Sequence, residues 1–202
     1  LYYDIDKVIL VAVPQIGTPD AIPAVLHGSE IGWNGLVMDQ DRSRSLVENM
    51  PTIYNLLLST KYRTTVSPSF AVDKVVSFQN DLAFNPQLSE YGVFVSNESE
   101  LKNYILGTDG RLKPNYSDTD SPNIGNSSLY SSTEAVHGIL DNWLPASTTQ
   151  VIQVAGWGEE TLAGLDYKKC ADLSILGYKK CYKPRFVVDG DGTVVVPSAL
   201  WM

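Results

Sequence analysis

The stretch Lys7-Val8-Ile9-Leu10-Val11-Ala12-Val13 decides the fold class of this chain. It is an almost unbroken apolar run of strand length, and Pro14 and Gly17 close it. A strand with one face in water would alternate apolar and polar residues, so an unbroken run is typical of a strand covered on both faces. Such strands occur in parallel sheets with helices on either side. The run therefore predicts an α/β fold.

Two further apolar runs predict strands near the end of the chain, at 150–155 and 186–188. The stretch between the first two runs is far too long for one helical crossover, so it must hold an insertion. We interpret residues 1–19 as a core strand and loop, 20–130 as a cap or lid, and 131–202 as the returning core.

Helix signals fall into three segments. Residues 39–50 carry Leu46, Val47 and Met50 at helical spacing before Pro51, and an apolar stripe continues to Leu57. Asn97 and Glu100 predict a capped helix that stops at Gly107, and the region 108–128 has no period and predicts a loop.

The third helix is predicted to begin at a capping box formed by Ser131 and Glu134. Its apolar stripe predicts the core face of a crossover helix that leads into the second strand, and His137 would then lie on the opposite, solvated face. The stripe comprises Val136, Ile139, Leu140, Trp143 and Leu144.

Composition excludes some classes of function. The 202 residues carry a formal charge of −8 and 44% hydrophobic residues, so the chain is globular and lacks the positive charge for nucleic-acid binding. No stretch approaches the length of a membrane span, and the first residues lack the basic start of a signal peptide. The chain begins with Leu and reads as an internal piece, which leaves localisation unconstrained.

Two cysteines lie in an internal echo, at Cys170 after Tyr167-Lys168-Lys169 and at Cys181 after Tyr178-Lys179-Lys180. The echo predicts a hairpin or loop that brings the sulfurs within disulfide range, as in an exported protein. Two free thiols in a reduced compartment are the alternative. Two thiols are too few for a structural zinc site.

The chemistry is expected in loops beyond the carboxyl ends of the strands, where functional side chains of open α/β sheets gather. One such loop holds Asp189 and Asp191, which are either turn formers or the acid of a triad. Leu200 takes the twelfth position counted from Asp189, where a calcium loop needs a glutamate, so calcium is disfavoured. The sequence contains no G-x-S-x-G turn, and both His27 and His137 precede the aspartate. His27 is expected in a loop.

Four motifs together resemble the lecithin:cholesterol acyltransferase family. They are K-V-I-L-V-A-V-P-Q-I-G-T-P at 7–19, M-P-T-I-Y-N-L-L at 50–57, G-x-G-x-x-T-x-x-G-x-x-Y at 156–167, and D-G-D-G-T-V at 189–194. The resemblance is poorest between residues 80 and 128. It implies the C-terminal part of an α/β-hydrolase sheet with a helical or irregular cap, and so an incomplete domain that would aggregate or fold only partly in isolation.

The resemblance also implies a function and a site. Asp191 would be the acid of a Ser-His-Asp triad whose serine and histidine lie outside this sequence, in a lipid-directed serine hydrolase or O-acyltransferase without cofactor or metal. Gln15, Thr18, Trp157 and Thr161 would line the site. A lipid or other acyl ester is the expected partner, and the lid would contact a lipid surface. Trp33, in an apolar cluster with Leu36, Val37 and Met38, would meet an acyl chain or pack the cap.

Two alternatives remain open at this point. One is a non-catalytic binding protein that keeps the hydrolase scaffold, and the other is a simple esterase or peptidase of the same fold. The oligomeric state is also open.

Overall fold

A computed structural model describes residues 5–29, 37–65, 74–172 and 177–200. Strand β1 (Lys7–Val11) pairs in parallel with β3 (Gln150–Val154) in a two-stranded sheet. A second sheet has the order β2 (Val76–Phe78), β4 (Thr161–Asp172), β5 (Gly177–Val187). In it, β2 runs parallel to β4, and β4 forms an antiparallel hairpin with β5. The α/β class is confirmed in this coarse form.

Eight helices lie between and after these strands in the described residues. They are α1 (Ala21–His27), α2 (Gln40–Val47), α3 (Pro51–Asn55), α4 (Thr60–Thr65), α5 (Leu88–Tyr91), α6 (Glu98–Leu106), α7 (Ser127–Leu140) and α8 (Val196–Ala199). Among the residues described here, no helix is long and apolar enough to cross a membrane.

The predicted strand at 186–188 is present as far as Val187. Residues 186 and 187 are the end of the long hairpin strand β5, in the second sheet, and do not extend the parallel sheet of β1 and β3. The predicted hairpin around the two cysteines is confirmed, because β4 and β5 pair from Thr161↔Val187 to Asp172↔Gly177.

Local helix signals gave mixed results. The predicted helix at 39–50 is shorter, since α2 ends at Val47, and Pro51 begins α3 instead of ending α2. Proline suits the first turn of a helix, where no intrahelical N–H bond is required. The prediction for α6 is confirmed: Asn97 accepts the Glu100 N–H at 2.9 Å, and Gly107 ends the helix with φ +66°.

Helix α7 differs from its prediction at both its start and its face. It begins at Ser127, because the Asn126 side chain accepts the N–H groups of Ser128 and Leu129, and the predicted capping box is not its start. The helix ends at Leu140, before Trp143 and Leu144, and most of the stripe expected in the core faces outward: Ile139 is 72% and Leu144 81% exposed, while Val136 and Trp143 are half-buried. His137, expected in solvent, is buried on the inner face with Tyr130 and Thr133.

The main core crosses the predicted domain boundary at residue 130. Phe78 and Tyr104, from the proposed cap, pack against Tyr167 of β4 with ring centroids 5.6 and 5.9 Å away. Strand β2, also from the proposed cap, pairs with β4 of the proposed core. Residues 20–130 and 131–202 therefore share one sheet and one hydrophobic cluster.

The small parallel sheet carries apolar side chains on an open face. Strand β1 exposes 57% of Ile9 and 63% of Val11, and β3 exposes 44% of Val154. The expectation that β1 is covered on both faces is not met within the described chain. Because Val11 pairs with Val154, these side chains lie on one face of the sheet and form an apolar patch.

Candidate functional site

Loops from both ends of the chain meet at the carboxyl ends of β1 and β3. The Ala12 N–H donates to Val154 O at 2.8 Å, so the two strands leave the sheet side by side. Beyond them lie the Pro14–Pro19 loop, the turn 156–160, and the Asp189–Val195 loop, which we call the acid loop. The acid loop joins the turn through an isolated bridge between Glu159 and Asp191. The convergence predicted from the sequence is therefore present.

Asp191 shapes the acid loop with its own carboxylate. Its Oδ1 accepts the N–H groups of Thr193 at 2.9 Å and Val194 at 2.8 Å. These bonds, chiefly the one from Val194, lower the pKa of the Asp191 carboxyl below its ordinary value. Both described donors end on Oδ1, so Oδ2 can accept from a further donor. The side chain is an ionised carboxylate at neutral pH.

Thr161, expected to line a substrate site, instead holds the acid loop through hydrogen bonds to its backbone and to the preceding turn. It is fully buried, and its Oγ1 accepts the Gly192 N–H at 2.8 Å while its hydroxyl donates to Glu159 O at 3.0 Å. Gly190 passes so close that a Cβ there would lie 2.4 Å from Thr161 Oγ1. The threonine therefore acts on the loop and not on an open surface.

The Pro14–Pro19 loop is tied to the acid loop and to α8. Thr18, which is 5% exposed, donates from Oγ1 to Thr193 O at 3.0 Å. Gln15 donates from Nε2 to Ala199 O at 3.0 Å, and Ser198 donates from Oγ to Gly17 O at 2.6 Å. Thr18 is thus a buried link. Gln15, half-buried, also lines a mostly apolar cavity of about 230 Å³ with Leu10, Val13, Leu140 and Trp143 among its walls.

Of the two tryptophans predicted to contact a ligand, Trp157 alone is among the described residues. Trp157 is 75% exposed on the turn after β3, where it could meet a ligand or a partner surface. Trp33, like Leu36, lies outside the described residues.

Neither histidine hydrogen-bonds to Asp191. His27, expected in a loop, ends α1 fully buried, with its ring nitrogens 2.7 Å from Tyr167 Oη and from Thr119 O. It also stacks on Tyr182, with centroids 3.7 Å apart. Burial is the main cause that lowers the pKa of His27 to about 3, so the ring is neutral at physiological pH.

The structure joins Cys170 to Cys181 in a disulfide, with Cα atoms 5.9 Å apart. The two residues are diagonal neighbours across the hairpin, because Cys170 pairs with Lys179 and Cys181 with Lys168. The bond closes the tip side of β4 and β5 and lies away from the acid loop.

Sequence reasoning missed two features of the site. Ser198 lies in α8 and belongs to no sequence motif that could have indicated its hydrogen bond to Gly17 O. Ala12 has φ +50°, in the left-handed region that non-glycine residues rarely adopt. Its position directly after β1 puts this strained backbone at the mouth of the site, where such strain is often found.

Comparison with known proteins adds no family to these observations. No protein-family model matches the sequence, and no curated protein matches it significantly. The resemblance to the lecithin:cholesterol acyltransferase family therefore stays a prediction from the motifs.

Proposed function

We propose that this chain supplies the acid of a Ser-His-Asp triad in a lipid-directed serine hydrolase or O-acyltransferase of the α/β-hydrolase fold. One observation carries the proposal: the Asp191 side chain packs against Gly156, directly after β3. The contact is so close that a Cβ added to Gly156 would lie 2.5 Å from the Asp191 Cβ. Parallel strands direct their functional loops to this edge. An acid at this position can reach a histidine presented at the same edge.

The chemistry required of Asp191 fits its surroundings. A triad acid must be ionised, must hold the histidine in one tautomer, and must stabilise the imidazolium that forms during acyl transfer. The lowered pKa keeps Asp191 ionised, and the bonds to Oδ1 fix the plane of the carboxylate while leaving Oδ2 for a histidine N–H. The serine and the histidine would come from polypeptide outside this sequence.

The open apolar face of β1 and β3 supports the same proposal. In an α/β-hydrolase, helices cover both faces of the sheet, so a helix from polypeptide outside this sequence would cover Ile9 and Val11. The mostly apolar cavity beside Gln15 also suits part of an acyl group.

The test is Asp191→Asn in the complete protein, with turnover of a fatty-acyl ester as the readout. Asparagine keeps an Oδ1 acceptor for the Thr193 and Val194 N–H groups, so the loop should persist while the charge is lost. We expect kcat to fall by about 10⁴. Asp189→Asn is the matched control and should stay within a small factor of the parent. Retention of most activity in Asp191→Asn would overturn the proposal.

A non-catalytic scaffold protein is the second candidate, and the use of Asp191 Oδ1 to close its own turn favours it, since Asp-Gly turns need no catalytic role. On that reading the parent protein cleaves no ester, and Asp191→Asn changes only stability. A profile of acyl esters and peptides as substrates would separate a lipase or acyltransferase from a simple esterase or peptidase.

A further inference from the structure

A separate cavity lies on the inner face of α7, away from the acid loop. Its volume is about 210 Å³, and its described lining residues come from α7 and the two residues after it, from α6, and from the segment 57–61. Leu57 and Leu58, both buried, form an apolar part of its wall. Glu134, an exposed residue in the lining, connects the cavity with solvent. The cavity has room for a molecule of several non-hydrogen atoms.

Buried polar atoms without a protein partner border this cavity. His137 and Asp141 are each 6% exposed, and their nearest approach, from Nδ1 to Oδ1, is 3.8 Å, too long for a hydrogen bond. In the described structure, both ring nitrogens of His137 and Oδ1 of Asp141 lack a hydrogen-bond partner. Buried polar groups are normally paired because leaving them unpaired is costly.

Glu98, a half-buried residue, adds a further buried oxygen atom without a partner. Its Oε1 accepts the Tyr130 hydroxyl at 3.3 Å, while Oε2 has no partner among the described residues. Burial raises the pKa of the Glu98 carboxyl, against the hydrogen bond from Tyr130 and the charge of Arg63, which lower it. A cation bound beside Oε2 would favour the ionised form of this carboxyl.

The balance of charge in the lining points the same way. Three carboxylates, on Glu98, Glu134 and Asp141, border the cavity together with one ammonium group, on Lys61. Glu134 is already paired with Lys102 at 2.7 Å. Glu98 Oε2 and Asp141 Oδ1 are the buried carboxylate oxygens of this lining that have no hydrogen-bond partner in the described structure.

We propose that this cavity binds a small organic cation with an ammonium group on a short apolar chain. One N–H of the ammonium would donate to Asp141 Oδ1 and another to a ring nitrogen of His137, since Nδ1 and Oδ1 lie 3.8 Å apart, while the Glu98 carboxyl borders the same cavity. The apolar chain would lie against Leu57 and Leu58. A bare metal ion fits less well, because no three acidic, histidine or cysteine side chains in the described ranges converge as metal ligands do.

The first test compares three ligands of one size on the unmodified protein: n-butylammonium, n-butanol and butyrate. Calorimetric titration at pH 7 should show saturable one-site binding of butylammonium, with butanol at least about tenfold weaker and butyrate weaker still, because charge-assisted hydrogen bonds need the cation. The imidazole resonances of His137 should shift as the site fills. Equal binding of the three ligands, or none by butylammonium up to solubility, would refute the proposal.

The second test uses Glu98→Gln and Asp141→Asn. Each removes one charge with little change in shape and should weaken butylammonium binding about tenfold or more. Glu160→Gln, an exposed carboxyl outside the cavity, is the matched control and should bind like the parent. If both cavity variants, folded by circular dichroism, also bound like the parent, the assignment would be wrong. Should they unfold, the three-ligand comparison on the parent decides. Asp191→Asn should leave this binding unchanged, so the site and the proposed triad fail separately.

Discussion

Gly156 faces Asp191 without room for a side chain: a Cβ on residue 156 would lie 2.5 Å from the Asp191 Cβ. Gly156 has no left-handed φ, so this contact, and not backbone freedom, is the reason for glycine at the position. The turn after β3 and the acid loop are thereby held in van der Waals contact.

Gly156→Ala should displace the acid loop, because the added methyl group would overlap the Asp191 side chain. We expect a loss of about 1–3 kcal/mol in unfolding free energy, as for other overpacked sites, together with changed amide resonances at Asp191. Urea denaturation measures the first and NMR the second. Gly138→Ala in helix α7 is the control, because a Cβ there would have no neighbouring atom within 4 Å. Alanine also suits a helix interior better than glycine, so this variant should be more stable than the parent by about 0.5–1 kcal/mol. Equal effects of the two variants would contradict the packing argument.

Thr161→Val should weaken the same loop by a different route. Valine keeps the shape but removes the acceptor of the Gly192 N–H, and because water can replace that acceptor at the exposed Gly192 we expect a loss of about 0.5–1.5 kcal/mol. Thr161→Ser keeps the hydroxyl and should recover most of that loss. Hydrogen exchange at the Gly192 amide should accelerate in the valine variant alone, and unchanged exchange there would count against the role of Thr161.

His27 predicts a pH dependence of stability. The pKa falls from 6.5 unfolded to about 3 folded, so unfolding takes up a proton between these values. Stability is fully present above about pH 6.5 and should fall by about 1.4 kcal/mol per pH unit as the pH drops toward 3. Urea titrations at several pH values measure this slope. His27→Gln, which keeps a donor and an acceptor but does not titrate, should show a flatter profile, and two parallel profiles would contradict the prediction.

The disulfide should stabilise the hairpin. Its sequence separation of 11 residues corresponds to about 3 kcal/mol in the chain-entropy model. Reduction of the parent should lower the midpoint of urea denaturation to that of a Cys170→Ser, Cys181→Ser double variant, and the same reductant should leave the variant unchanged. A reductant effect of similar size on the double variant would show that the bond is not the cause.

The success of sequence reasoning varied with the range of the interactions involved. Helix α6 was predicted because its signals are local: Asn97 and Gly107 act within one turn of the helix they bound. The buried face of α7 is determined by the residues that pack against it and not by its own pattern. The apolar stripe predicted to be buried is therefore largely exposed. The end of β5 shows the same limit, since an apolar run does not reveal its pairing partner.

At the site, topology was easier to predict than detail. Parallel strands deliver their loops to one edge, so the proximity of the Pro14–Pro19 loop and the turn 156–160 followed from the assignment of β1 and β3. The acid loop reaches that edge from the end of β5 in the second sheet, which the assignment did not predict. The role of Thr161 depended on a buried hydroxyl between two backbone segments, which no spacing rule encodes. The inner location of His137 was missed together with the face of α7.

The segment from 108 to 126 has the composition of a linker, yet two arginines hold it. Buried Arg44 donates to the carbonyls of Asn115 and Tyr116 at 2.9 and 2.7 Å, and Arg111 donates to Asn123 O at 2.9 Å. Trypsin and similar endopeptidases need an extended, accessible backbone to cut. Brief proteolysis should consequently leave the segment from 108 to 126 uncut, although its composition resembles that of an accessible loop.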